Sequence, residues 1–157
     1  MAYMVREGLA DFAITEDSDL LAFGCTRTVV KLNFKGAGEM FDMDQFRWQN
    51  NNSNKDGWNE NLRTLQKLNR DEFVNLCVMG GCEYLKSIDW IGLKVILHLL
   101  TKIDTTVQVI HELKNYKSFK DKVPDNYLAD VQKARSVFKF QTVYDPRIKR
   151  FVSLEQP

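Results

Sequence analysis

An asparagine-rich stretch, "QNNNSNKDGWNENL" (residues 49–62), divides this chain into two parts with different hydrophobic periods. Ahead of it, apolar residues fall in short runs that are β-branched or alternate with polar ones. Beyond it, they recur at three- and four-residue spacing. The stretch has no period of its own and predicts a mobile loop or insertion. Such a chain folds as α/β first and helices second, and no internal repeat suggests a solenoid.

Local signals fill in the order. "MAYMVREGLA" reads as a helix end with Gly8 as its C-cap. "DFAI" reads as a short strand, too apolar to be half exposed. "DSDLLAFGC" opens a short helix that Gly24 closes, and "RTVVKLNF" is a strand. "KGAGEMFDM" supplies a turn and a further short strand, and "DMDQFRWQ" begins a helix capped by Asp42 or Asp44. After the insertion, Asn69 and Glu72 form a capping box that sets Phe73, Leu76 and Cys77 on one face. "IGLKVILHLLTKI" is apolar almost all round and predicts a buried helix. "TTVQVIHEL" is a shorter helix. The next starts at Pro124, with Tyr127, Leu128, Val131, Ala134 and Phe138 at helical spacing. "TVYDPRIKRFVSL" reads as a tail with a turn at Pro146.

Composition narrows the class. With 157 residues, 44% hydrophobic and 27% charged, the chain suits one soluble globular domain with a sizeable core. No apolar run reaches the length of a membrane span, and the N-terminus lacks a signal-peptide pattern. Cys25, Cys77 and Cys82 are too few and too irregular for a disulfide framework. His98 and His111 stand apart from any cysteine pair, which argues against zinc. The net charge of +1 hides a division. Residues 1–83 carry 9 Lys/Arg and 13 Asp/Glu, whereas residues 84–157 carry 13 Lys/Arg and 8 Asp/Glu. An acidic part followed by a basic one suits a protein that holds cations at one place and phosphates at another. Ordinary surface charge is the alternative.

Three stretches carry candidate chemistry. In "FAITEDSDLLAFG" (12–24), Glu16, Asp17 and Asp19 crowd the end of a strand. Helix capping explains one or two acids there. Asp17 and Asp19, two residues apart in a turn, also suit a hard cation such as Mg²⁺, and ligands in open α/β sheets commonly sit at strand carboxyl ends. In "MGGCEYLKSIDWIGLKVIL" (79–97), a short turn joins two helices. A helix–hairpin–helix uses such a turn to offer backbone N–H groups to a phosphate, and a plain turn in a bundle is the alternative. Lys86, Gly92 and Lys94 favour phosphate, while Asp89 opposes it. Glu83 follows a flexible "GGC" and is either a solvated turn residue or a ligand reaching inward.

The order of "ITEDSDLLAFG", "GGCEYL", "SIDWIGL" and "YDPRIKR" resembles the flap endonuclease and exonuclease 1 family of structure-specific 5′ nucleases, nearer its exonuclease branch. The resemblance covers nearly the whole chain outside the insertion. It implies a PIN-like α/β portion over 1–48, the insertion over 49–62, and a helical, SAM-like DNA-binding region with a helix–hairpin–helix over 63–157. It implies a Mg²⁺-dependent phosphodiesterase, with Mn²⁺ able to substitute, acting by two-metal hydrolysis on duplex DNA with a 5′ end, nick, gap or flap. Asp17, Asp19 and Glu83 match its metal-binding acids. Ser87 and Ile91 match positions that hold a monovalent cation, K⁺, at the hairpin. Lys86, Gly92 and Lys94 match its DNA-binding turn. A nuclear location, DNA repair, and contact with mismatch-repair or replication proteins follow from the same resemblance.

Glu83 stands where the family has Asp, Trp90 where it has Gly, and Asp89 where a basic residue is frequent. The family's other metal-binding acids lie upstream of the position matching Met1. The residues therefore support a part of a nuclease, inactive by itself, and alternatively a catalytically incomplete module that binds DNA or a repair partner. The remaining strands of the sheet would come from upstream, leaving an exposed edge or a self-association through it.

Overall fold

The computed structural model describes residues 1–48, 60–103 and 105–155. Instead of one domain, the chain forms two compact units. One draws on residues 1–58 and 139–157, the other on 59–138.

The first unit opens with helix α1 (Ala2–Arg6). Gly8, just past its end, adopts the left-handed backbone (φ +68°) that terminates such helices, as its sequence position predicts. Strand β1 (Ala13–Ile14), helix α2 (Asp19–Ala22), strands β2 (Arg27–Val30) and β3 (Glu39–Asp42), and helix α3 (Met43–Trp48) follow. The sheet order is β1-β2-β3, with β1 parallel and β3 antiparallel to β2. Ala13 lies opposite Thr28, and Thr28 opposite Phe41. Ala2, Val5, Ala13, Leu20 and Cys25 make the core.

Expectation and structure differ at β1. It has two residues rather than four, and Ile14 is 53% exposed. Among the described residues β1 is an outer strand paired with β2 alone, and its two side chains alternate, Ala13 buried on one face and Ile14 exposed on the other. β2 stops at Val30 because Lys31 turns to a left-handed conformation (φ +54°). Asp42 is the cap of α3, its Oδ1 accepting from the N–H groups of Asp44 and Gln45 at 3.0 Å each.

The "tail" at 142–153 is an antiparallel hairpin, β4 (Thr142–Asp145) and β5 (Arg150–Ser153), so the region after residue 62 is not helical throughout. A network ties this hairpin to α1. Tyr3 Oη donates to Asp145 Oδ2 at 2.7 Å, and Arg147 donates to both Asp145 oxygens, to Tyr3 Oη and to Glu7 Oε2. The guanidinium holds the buried Asp145 carboxyl well below the usual carboxylate range.

The second unit contains α4 (Glu60–Lys67), α5 (Arg70–Gly80), α6 (Leu93–Leu100), α7 (Thr106–Asn115) and most of α8 (Tyr127–Phe140). α4 begins inside the stretch expected to be loop. Residues 60–62 are helical, and the rest of that expectation lies outside the described residues. The capping box is present, with Asn69 accepting from Glu72 N–H at 3.0 Å and Glu72 from Asn69 N–H at 2.7 Å. The buried residues of α5 are Val74, Asn75, Leu76, Val78 and Met79, while Phe73 and Cys77 are half-buried. α5 is thus covered on more than the single expected face. α6 is the converse. Ile96, Leu97 and Leu100 are buried, but Leu93 is 54% exposed. α8 begins at Tyr127, three residues later than expected, after a turn in which Tyr127 N–H donates to Pro124 C=O at 3.1 Å. Val74, Val78, Met79, Ile96, Val109, Leu113, Val131 and Phe138 fill the core. No described helix is long and apolar enough to cross a membrane.

Candidate functional site

The acidic turn follows β1 directly. Thr15 N–H still bonds to Val29 C=O at 3.0 Å, continuing the sheet for one residue. The chain then turns on its own side chains. Thr15 Oγ1 accepts from Asp17 N–H at 3.0 Å, and Asp17 Oδ1 accepts from Asp19 N–H at 2.9 Å. Ser18 stands at the N-cap of α2 with no side-chain cap bond.

These bonds separate the three acids. Glu16 Oε1 accepts from Lys31 N–H at 2.6 Å, so Glu16 fastens the acidic turn to the end of β2. Asp17 does part of the capping work, yet only one of its oxygens is bonded among the described residues. Asp17 is exposed and Asp19 half-buried. The first unit therefore presents two carboxylates from one turn at the carboxyl end of a strand.

The second unit holds the other candidates. α5 ends at Gly81, whose left-handed backbone (φ +106°) leads into a tight turn closed by Cys82 N–H to Leu85 C=O at 2.9 Å. Glu83 sits exposed in that turn. Among the described residues, no three His, Cys, Asp or Glu side chains gather as a metal-binding group.

The hairpin follows. Ile88 and Ile91, 7% and 1% exposed, anchor it into the core. Ile91 N–H donates to Ile88 C=O at 2.9 Å, closing a four-residue turn. Trp90, third in that turn, has φ +71°, the value at which a type II turn calls for glycine. The turn keeps its geometry although the side chain is indole. That ring is 82% exposed, with the Lys122 ammonium 5.4 Å from its centroid. Gly92 caps α6 from an extended backbone, with no atom within 4 Å of where a Cβ would stand. Backbone there is open to close approach. Lys86, Ser87 and Lys94, in the same stretch of chain, are exposed.

The sequence reading missed two features. The Tyr3–Asp145–Arg147 network joins residues 142 apart, beyond any local pattern. The other is a groove of about 460 Å³ in the second unit, lined by Lys94, His98, Leu99, Leu113, Tyr116 and Phe119 among others. Its signal was the alternation of lysines and aromatics in "KNYKSFKDK" (114–122).

This architecture is shared with two solved nuclease structures. One is the catalytic core of Rad2 in complex with DNA substrate, with TM-score 0.62 and 15% identity over 87% of this chain and 45% of that one. The other is the eukaryotic junction-resolving enzyme GEN-1 binding with potassium, with TM-score 0.61 and 20% identity over 94% of this chain and 39% of that one. The fold is therefore that of the flap endonuclease and XPG class of nucleases. The XPG I-region profile matches residues 1–83, and the chain belongs to that family. Exonuclease 1 of Xenopus laevis is 32% identical over 156 residues, 98% of this chain and 20% of that protein. The chain thus spans about a fifth of the length of the exonuclease relatives it matches.

Proposed function

We propose that this chain forms part of a Mg²⁺-dependent, structure-specific 5′ nuclease that hydrolyses phosphodiester bonds in duplex DNA carrying a 5′ end, nick, gap or flap. The observation that carries this reading is the Asp17–Asp19 turn at the end of β1, inside the segment matched by the family profile. Relatives named exonuclease and flap endonuclease support it.

The donor set fits a hard divalent cation, because both groups offer carboxylate oxygens and Asp17 keeps one oxygen clear of the turn. Asp17 and Asp19 would hold Mg²⁺ or Mn²⁺, with Glu83 assigned as a third carboxylate. Two ions take about six ligands each. Mg²⁺ keeps several waters and takes substrate phosphate oxygens, so these, with any carboxylates of the larger protein, would fill the positions that Asp17, Asp19 and Glu83 leave. The chemistry supplied by the bound ions is a lowered pKa for the attacking water and stabilisation of charge on the scissile phosphate.

The second unit's role is to hold the duplex. Open backbone at Gly92, the N-terminus of α6, and the ammonium groups of Lys86 and Lys94 suit a phosphate approached without sequence readout. Ser87 and Ile91 are assigned to a K⁺ ion at this turn, a reading helped by the relative named for binding potassium. A nuclear location, a role in repair and contact with mismatch-repair or replication proteins belong to the same proposal. The exposed indole of Trp90, standing where close approach calls for glycine, favours a second reading, a DNA- or partner-binding module that does not cut.

The test is Asp17→Ala and Asp19→Ala in the complete protein, assayed on a 5′-labelled nicked duplex. Mg²⁺-dependent cleavage is expected to fall by about 10²-fold or more, with duplex affinity within about twofold of wild type. The 157-residue chain alone is expected to cleave nothing. Undiminished cleavage by either variant rejects the metal assignment, and binding without cleavage by the complete wild-type protein leaves the module reading in its place.

A further inference from the structure

The 460 Å³ groove of the second unit has the size of a site for a nucleotide-sized ligand. Its walls differ chemically. Lys94 and His98 stand four residues apart on α6, hence on one face of that helix, and both line the groove. Leu99 and Leu113 line it with apolar surface. Tyr116 and Phe119, ring centroids 5.9 Å apart and tilted by 33°, complete the lining. Tyr116 is 57% exposed although it belongs to an otherwise apolar wall.

The adjoining segment is predominantly basic. Residues 114–122 contain four lysines and one acid, Asp121. Lys122 carries the pattern on to Trp90 through its contact with the indole face. A solvated face would explain lysines alone. It does not explain aromatic rings set between them over an apolar groove. Acidic peptide would satisfy the lysines and leave the aromatic rings unused. Bases with phosphates between them use both.

We propose that this groove is a binding site for single-stranded nucleic acid, in which a base stacks on Tyr116 and Phe119 while its phosphate meets Lys94 and His98. Trp90 with Lys122 is the next contact along the strand. The proposal rests on the nuclease reading for its biological setting, because gapped and flapped DNA both expose unpaired strand. It concerns a different ligand from the duplex held at Gly92, although Lys94, which lines the groove, serves both.

The experiment measures fluorescence anisotropy of a labelled dT₁₂ strand, an abasic strand of the same length, and a blunt duplex, each titrated with the protein. Tyr116→Ala is expected to lower dT₁₂ affinity roughly tenfold, since stacking one base has about that worth. Duplex affinity is expected to stay within about twofold, because the hairpin grip is left alone. Tyr116→Phe, which keeps the ring, is expected to retain dT₁₂ binding and serves as the check on folding. The abasic strand is expected to bind wild type as weakly as dT₁₂ binds Tyr116→Ala. Equal binding of dT₁₂ and abasic strand, or no loss in Tyr116→Ala, overturns the groove proposal even if duplex binding is strong. Wild-type protein that binds dT₁₂ in preference to the abasic strand but does not bind the duplex rejects the hairpin grip and leaves the groove standing.

Discussion

Trp90 shows how one residue can obey a backbone and contradict its usual side chain. The left-handed conformation costs a non-glycine residue about 1–2 kcal/mol. An exposed cation–π contact such as that with Lys122 returns about 0.5–1 kcal/mol. The buried isoleucines on either side fix the turn, so the strain is accepted where the anchors demand it. Gly81 is the opposite case, a glycine retained because nothing else fits. Its φ of +106° disfavours any side chain, and a Cβ there would come within 3.1 Å of Ser87 Cβ and 3.2 Å of Ser87 N. Gly8 has a comparable left-handed backbone (φ +68°), but nothing lies within 4 Å of its added Cβ. Gly8→Ala is therefore expected to cost about 1 kcal/mol. Gly81→Ala meets backbone as well as strain and is expected to cost about 2 kcal/mol or more. Urea denaturation of the two variants checks the difference. Equal losses would mean that the Cys82–Leu85 turn yields to the added methyl.

Elements differ in how far their own sequence specifies them. The capping box that starts α5 is written in four consecutive residues, and α7 has its Thr105 cap accepting from Gln108 N–H at 3.2 Å. Both are local codes, of which the capping box was read from the sequence and the Thr105 cap was not. The β4–β5 hairpin was not. Its strands have four residues each, with Pro146 between them, and the partners that hold it to α1 lie at the far end of the chain. The "YDPRIKR" motif was recognisable as a pattern, but its structural use, an arginine clamping a buried aspartate, was not. That clamp has a pH signature. Asp145 titrates lower in the folded protein than in the unfolded chain, because Arg147 and Tyr3 both donate to its carboxylate. Its stabilising effect is complete above the ordinary carboxylate value near 4 and is lost as pH falls below it. Thermal melts of the wild type are thus expected to show a midpoint dropping steeply below about pH 4. Asp145→Asn should melt lower at neutral pH and lose much of that acid slope. An unchanged slope in the variant would assign the acid sensitivity to other carboxylates.

Charge is the property that only the whole chain displays. Acids dominate up to residue 83 and bases beyond it, and the net of +1 conceals both. The sequence made this division legible, along with the acidic turn and the turn between α5 and α6, because each depends on residues close together in the chain. What it could not give was any arrangement made by distant residues, such as the groove lined from α4, α6 and α7 or the outer position of β1. Salt dependence gives access to the basic part as a whole. Each phosphate neutralised releases condensed counterions, so the logarithm of duplex affinity falls with the logarithm of salt at a slope of about −0.9 per contact. If Lys86 and Lys94 each meet a phosphate, replacing either by alanine should reduce the slope by roughly one and weaken binding similarly for all sequences. The measurement is duplex affinity of the complete protein at several ionic strengths between about 50 and 200 mM. A steep wild-type slope that flattens stepwise in the single and double variants supports a duplex held by its backbone at this hairpin. A steep slope that both variants leave unchanged moves the contacts to other lysines. Affinity indifferent to salt removes duplex binding from the second unit, and with it the case that this chain positions DNA for cleavage.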